Sequence, residues 1–265
     1  MITDHFPMLN GLILDMDGVL WHDDQPIGDL PAIFGQIKNL GLDFVLATNN
    51  SAKTVNEYQD KLSGFGLQIE ARQILTSAVA SFHYLKKTHP DKRLVHIVGS
   101  DSLKADAFNK GFTVLMEGDK RQADVVIVGL DRNLTYAKID YASRQIRNGA
   151  VYVATNTDAT YPTPSGPIPG AGTMVAAIQT ASGQTPVVIG KPSPSIYHQA
   201  IEVMGLQPHQ VLCVGDRLET DIVGAQQGGF ASALLLSGVS TKADLDNWEP
   251  NPDLVAENLE EMING

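Results

Sequence analysis

The sequence predicts an α/β fold built on a mainly parallel sheet. Three observations carry that reading. Short β-rich runs alternate with amphipathic helical patterns along the 265 residues. Several of the runs are apolar without interruption, as in strands covered on both faces. Two helical patterns close on glycine, at Gly41 and Gly205, a usual residue just past a helix C-terminus.

The candidate strands are GLILDM (11–16), DFVLAT (43–48), RLVHIVG (93–99), FTVL (112–115), DVVIVG (124–129), VYVAT (151–155), PVVIG (186–190), QVLCVGD (210–216) and ASALLLSG (231–238). Between them lie helical patterns such as LPAIFGQIKNLG (30–41) and PSIYHQAIEVMGL (194–206). Such alternation favours strands joined by crossover helices. The residues suited to chemistry cluster at 15–50 and 191–221, and the stretch between carries its own strand–helix series. We therefore expect a core formed by 1–80 and 186–265, with an inserted unit at 81–185.

Composition narrows the partners. The chain is 43% hydrophobic and 18% charged, ordinary for a globular protein, and 19 Lys plus Arg against 30 Asp plus Glu give a net charge of −11. Without a basic stripe, a nucleic-acid backbone is not an expected partner. The one cysteine, Cys213, excludes an intrachain disulfide and a thiolate zinc site. It reads as a small buried hydrophobe, which fits a reducing cytoplasm. The opening MITDHFPMLNG lacks the basic-then-apolar pattern of a signal peptide. No apolar run approaches the ~18 residues of a membrane span, so no membrane partner is expected.

Four strand ends carry candidate chemistry. The first delivers Asp15-Met16-Asp17-Gly18. In open α/β sheets ligands bind beyond the carboxyl ends of strands, and two carboxylates there call for a divalent cation to offset their repulsion. Gly18 lets the chain turn tightly and a ligand come close. A turn in which the aspartates only cap backbone amides is the plainer alternative. The second end gives Thr48, followed by Asn49, Asn50 and Ser51, a hydroxyl beside backbone N–H groups suited to phosphate. The alternative is a helix cap by Asn50 or Ser51 for AKTVNEYQDKL. The third places Lys191 before Pro192, with Ser193 as a helix cap and Pro194 in the first turn. A lysine there meets an anion as a point charge, although most lysines are simply exposed. The fourth runs VLCVG into Asp216, with Glu219 and Asp221 close behind, a cluster that reads as a metal site. Helix capping explains Asp221 better than Asp216.

The joint pattern outweighs any single motif. If these are carboxyl ends of one parallel sheet, Asp-x-Asp, Thr, Lys and Asp converge on one edge. Three carboxylates, a hydroxyl and a lysine around a magnesium ion can hold a phosphate and attack it.

This ordered set resembles the haloacid dehalogenase superfamily, through DMDGVLW, ATNNS, GKPSPSIY and VGDRLETDI. The large insertion between the second and third motifs resembles the type IIA cap. Within it, VIVGLDRNLTYAKI (126–139) and ATNTDATYPTPSGPIPGAGT (154–173) look like the branch of NagD-like sugar phosphatases, p-nitrophenyl phosphatases and phosphoglycolate/pyridoxal phosphatases. The resemblance implies a Rossmann-like core, an α/β cap domain and a magnesium requirement. It implies that Asp15 attacks phosphorus to form an aspartyl-phosphate, while Asp17 serves as acid and then base. Magnesium would be held by the Asp15 carboxylate, the Asp17 main-chain carbonyl and the Asp216 carboxylate. Thr48, Asn49, Asn50 and Lys191 would hold the phosphoryl group, and Asp221 would orient Lys191 or a metal-bound water from behind. Asn156, Asp158 and Tyr161, in a polar loop after VYVAT, become candidates for substrate choice, against the alternative of ordinary turn chemistry.

Aspartate at position 17 points to phosphatases and phosphomutases; superfamily dehalogenases lack an equivalent, and the transport ATPases carry threonine. Residues 18–47 are too few for a cap between the first two motifs, where the phosphomutases mostly have one. The expected activity is hydrolysis of small phosphomonoesters such as sugar phosphates, nucleotides, phosphoglycolate or p-nitrophenyl phosphate. A receiver-type signalling domain would need adjacent acids on its first strand and about half this length. A catalytically idle metal-binding protein of the same fold is a third reading. The resemblance allows a homodimer through the cap without fixing the oligomeric state.

Overall fold

The computed structural model of the chain describes residues 2–161, 163 and 165–264. Met1 and Gly265, the ends of the expected core, lie outside the described residues, as do Pro162 and Pro164 within 154–173. The chain forms two compact units, each with its own parallel sheet.

The first unit comprises the chain up to Thr48, Val55–Leu75, and the chain from Lys191 onward. Its six-stranded sheet runs, edge to edge, Leu254–Ala256, Ala231–Leu235, Val211–Gly215, Gly11–Leu14, Asp43–Thr48 and Ile74–Thr76. Gly11–Leu14 is central and wholly buried, which accounts for its unbroken apolar character. It pairs in parallel with both neighbours, Leu12 lying opposite Leu212 on one side and Phe44 on the other. The register therefore brings Asp15, Thr48 and Asp216 to the same edge of the sheet.

Local sequence explains the flanking helices. In Leu30–Asn39, the Asp29 carboxylate accepts from the Ala32 N–H, and Leu30, Ile33, Phe34 and Ile37 form the buried stripe. Each such side chain contributes roughly 1.5–3 kcal/mol over exposure. Pro194–Met204 begins behind Ser193, whose hydroxyl accepts from the Ser195 N–H, and stops at Gly205 in the left-handed region (φ 69°). Both follow the expected cap chemistry.

The second unit comprises Asn49–Thr54 and Thr76–Gly190. Its five-stranded sheet has the order Val187–Val188, Val151–Ala154, Val125–Val128, Leu94–Val98, Thr113–Leu115, with every pairing parallel. Its core packs Val98, Val126, Val128, Ala142, Ile146, Met174 and Ile178.

Three details differ from expectation. The 186–190 run, assigned above to the core, pairs through Val187 with Val153 and Val188 with Ala154, so it belongs to the second sheet. At the other boundary, a helix begins at Ser77 behind the Thr76 cap and cannot be divided at residue 81. The helix after ATNNS begins only at Val55, so neither Asn50 nor Ser51 caps it. Asn50 Oδ1 instead accepts from the Ala52 N–H, closing a side-chain turn. No helix among the described residues is long and apolar enough to cross a membrane.

Candidate active site

Strand ends build the site in the first unit. Asp15 directly follows Gly11–Leu14, and its N–H still donates to the Val214 carbonyl (2.9 Å), so the sheet ladder fixes its backbone. Asp216 directly follows the neighbouring Val211–Gly215. Lys191 is 4% exposed. Its Nζ donates to Asp15 Oδ1 at 2.5 Å and to Asp221 Oδ1 at 2.6 Å. A buried ammonium is tolerable only when paired in this way.

Asp221 is shaped by the five-residue π turn Leu218–Ile222 rather than by the start of an ordinary helix. Its Oδ2 accepts from the Arg217 N–H (3.1 Å). With Oδ1 on Lys191, both carboxylate oxygens are engaged, and the group can orient the ammonium. Tyr197, fully buried, donates its hydroxyl to the Asp221 carbonyl (3.0 Å) and so anchors that turn.

The charges do not balance. Ligand-capable oxygens of Asp15, Asp216 and Asp221 lie within 4.8 Å of one another, facing a single ammonium. Burial, reinforced by Asp221 and Asp216 and opposed by Lys191, pushes the Asp15 carboxyl well above its ordinary range. Burial and the nearby Asp221, opposed by the Val239 N–H, push Asp216 up to about 6. For Lys191, burial alone would lower the ammonium, but Asp15 and Asp221 outweigh it and hold it above its usual value. Three carboxylates and one ammonium leave an excess that a divalent cation would offset.

Asp216 carries a second sign of a cation. Its Oδ2 accepts from the Val239 N–H (2.8 Å), whereas its Oδ1 is buried without a hydrogen-bond partner among the described residues. An orphaned buried carboxylate oxygen is costly unless something occupies its lone pairs. Gly18, at φ 82°, leaves room here: a Cβ on it would meet Asp216 Oδ2 at 2.4 Å. The donor set, all oxygen, suits a hard divalent ion.

Thr48 ends its strand at the same sheet edge and is buried. The Asp17 carboxylate is exposed and bonds the Trp21 indole rather than Lys191. In the second unit, Asn49 Nδ2 donates to both oxygens of Asp158 (3.1 and 3.2 Å) and Asn50 Nδ2 to the Tyr161 hydroxyl (3.2 Å). Asn156 Nδ2 donates to the Asn49 carbonyl (2.7 Å). Asn49, Asn156 and Asp158 thus form one polar network, and Asn50 and Tyr161 form a separate pair.

Comparison with known proteins places this arrangement. The family model described as haloacid dehalogenase-like hydrolase matches residues 12–113, and one described as HAD-hydrolase-like matches 188–262. The 5'-nucleotidase YutF of Bacillus subtilis is 30% identical over 253 residues, covering 96% of this chain and 97% of that protein. The chain belongs to the haloacid dehalogenase-like hydrolases. Within this family its backbone matches the 4-nitrophenylphosphatase of Thermotoga maritima, with TM-score 0.91 and 31% identity over 98% of each chain. It also matches the glycerol phosphate phosphatase of Mycobacterium tuberculosis, solved in complex with magnesium, with TM-score 0.87 and 31% identity over 97% of this chain and 77% of that one. This haloacid dehalogenase-like hydrolase is a phosphatase, as the resemblance of its motifs implied.

Sequence reasoning missed three contributors: Trp21, Tyr197 and the segment around Val239. Trp21 carried the one available signal, standing four positions after Asp17 across a glycine turn.

Proposed function

We propose that the chain is a magnesium-dependent phosphomonoester hydrolase that works through an aspartyl-phosphate on Asp15. The carrying observation is the buried Lys191 bridging Asp15 and Asp221 beside the orphaned Asp216 oxygen. The relatives described above are named for a nucleotide, nitrophenyl phosphate and glycerol phosphate. These share only a phosphate monoester on a small molecule, and we assign that class to this chain.

The Asp15 and Asp216 carboxylates and the Asp17 carbonyl would hold magnesium, which supplies positive charge against the phosphate dianion. Lys191 fixes the Asp15 carboxylate and, with the Thr48 hydroxyl, neutralises and orients the phosphoryl oxygens. An Asp15 oxygen bonds to phosphorus as the ester P–O bond breaks, and Asp17 gives its proton to the departing alkoxide. Water then attacks phosphorus, Asp17 takes a proton from it, and the bond to Asp15 breaks to release phosphate. The covalent intermediate lets one carboxylate serve as acid and then base.

The test is phosphate release from 4-nitrophenyl phosphate and a panel of phosphorylated metabolites. Activity should require added magnesium, disappear with chelator, and vanish in Asp15→Asn protein with a wild-type circular dichroism spectrum. Full activity in that folded variant would overturn the nucleophile assignment.

A further inference from the structure

We infer that Trp21 is a positioning residue that aims the Asp17 carboxylate for proton transfer to the leaving group. The inference rests on the acid/base reading of Asp17 given above. Met16 to Leu20 form a tight turn, in which the Val19 and Leu20 N–H groups donate to the Met16 carbonyl (3.3 and 2.8 Å) and the Gly18 N–H to the Trp21 carbonyl (2.8 Å). The turn returns the chain on itself, and Trp21 Nε1 donates to Asp17 Oδ1 at 2.8 Å.

The two ends of this bond are unlike. Asp17 is exposed, and water could solvate it in any rotamer. Trp21 is 1% exposed, stacked on Tyr58 (centroids 6.4 Å apart, planes at 22°) and packed on Phe65 (5.9 Å). The indole therefore cannot follow the carboxylate, and the carboxylate is held where the indole is. Lys61 Nζ sits 4.4 Å from the centroid of the Trp21 ring. A cation on that face draws electron density from the ring and strengthens the N–H as a donor. Lys61 is itself held, since its Nζ donates to the Asp23 carbonyl. Oδ1 is thus committed to a rigid donor, and Oδ2 has no hydrogen bond to a described side chain, which leaves it for the proton.

A buried indole N–H also needs an acceptor for its own sake. That purely structural account makes a different prediction. An aimed acid matters most where the leaving group cannot depart unprotonated. Nitrophenolate leaves readily, whereas the alkoxide of an alkyl phosphate does not.

Two replacements of Trp21 test this. Trp21→Phe keeps an aromatic ring, and β-(3-benzothienyl)alanine at position 21 keeps the two-ring shape while sulfur replaces N–H. The readout is kcat/KM, which ends at leaving-group release, for 4-nitrophenyl phosphate and for an alkyl phosphate turned over by the wild type, such as glycerol phosphate. Asp17→Asn is the reference, expected to lose within the ~10²–10⁴-fold typical of general acids on the alkyl ester and much less on the nitrophenyl ester. Both Trp21 replacements should lose about tenfold on the alkyl ester and under about threefold on the nitrophenyl ester, a fraction of the full acid effect. Equal losses on both esters, or a gain, while Asp17→Asn discriminates between them would overturn the role of Trp21 alone. If Asp17→Asn does not discriminate, the acid/base reading fails and takes this inference with it. The isosteric replacement keeps the result decisive if Trp21→Phe does not fold.

Discussion

Lys191 Nζ lies 2.5 Å from Asp15 Oδ1, although 176 positions separate the two residues in the chain. The same ammonium lies 2.6 Å from Asp221 Oδ1. Parallel pairing puts the ends of Gly11–Leu14 and Val211–Gly215 side by side and so brings Asp15 near Asp216, while Lys191 reaches them from the segment ahead of the Pro194–Met204 helix. Unfolded, each group is solvated and independent. Folded, one ammonium serves a cluster with a surplus of carboxylates, a surplus that a divalent cation would offset.

Removing the ammonium should expose that debt. Lys191→Met leaves the Asp15 and Asp221 carboxylates buried without their shared counter-charge. Breaking a buried ion pair from one side costs about 3–5 kcal/mol. Urea unfolding in chelator should show a loss of that order, and magnesium should restore part of it while activity stays lost. Equal stability of variant and wild type in chelator would mean that these carboxylates are not charged in the folded protein.

Gly238 should govern magnesium affinity without touching the ion. A Cβ at this position would stand 2.0 Å from Asp216 Oδ2. Gly238→Ala must therefore displace the carboxylate from the Val239 N–H that orients it. Loss of such an orienting contact typically weakens metal binding by about 10–100-fold. The magnesium concentration for half-maximal activity should rise by about tenfold or more, with an unchanged far-UV spectrum. An unchanged magnesium titration would show that Asp216 needs no such support.

Asp15, Thr48, Lys191 and Asp216 were legible in the sequence because each stands next to an apolar run whose end it marks. Parallel pairing within one sheet brings Asp15, Thr48 and Asp216 to one edge, but it does not account for Lys191, since the run before it pairs in the second sheet. Trp21 and Tyr197 were not legible, because both look like core residues and their bonds depend on a turn and a tertiary contact. The run at 186–190 was readable as a strand but not as a member of either sheet, since apolar character does not name a partner. Ile74–Thr76 and Leu254–Ala256, three-residue strands at the two edges of the first sheet, were missed, although the equally short edge strand Thr113–Leu115 was read within FTVL. Asn50 and Ser51 look like helix caps, but the helix starts later and Asn50 closes a turn of its own.

His96 should give the second unit an acid-sensitive stability. It is 1% exposed; its Nδ1 lies 3.0 Å from the Leu115 carbonyl, and its Nε2 is buried without a partner among the described residues. Its ring packs edge-on to Tyr141, with centroids 4.6 Å apart. Burial lowers its pKa below the ordinary 6.5, opposed by the Leu115 carbonyl and Glu117 and assisted by Lys104 and Lys138. Unfolded, the imidazole takes a proton near its ordinary pKa of about 6.5; folded, it resists. The contribution is therefore complete above that pH and declines as pH falls through it. The raised Asp15 and Asp216 carboxyls act with the opposite sign, since the folded form binds their protons first and gains stability on acidification. Comparing wild type with His96→Asn cancels that background, and the amide can still donate to the Leu115 carbonyl. In urea unfolding at about pH 7.5 and about pH 5.5, either side of the free imidazole pKa, acidification should cost the wild type more than the variant. An equal change in both proteins would mean that His96 is protonated as readily folded as unfolded.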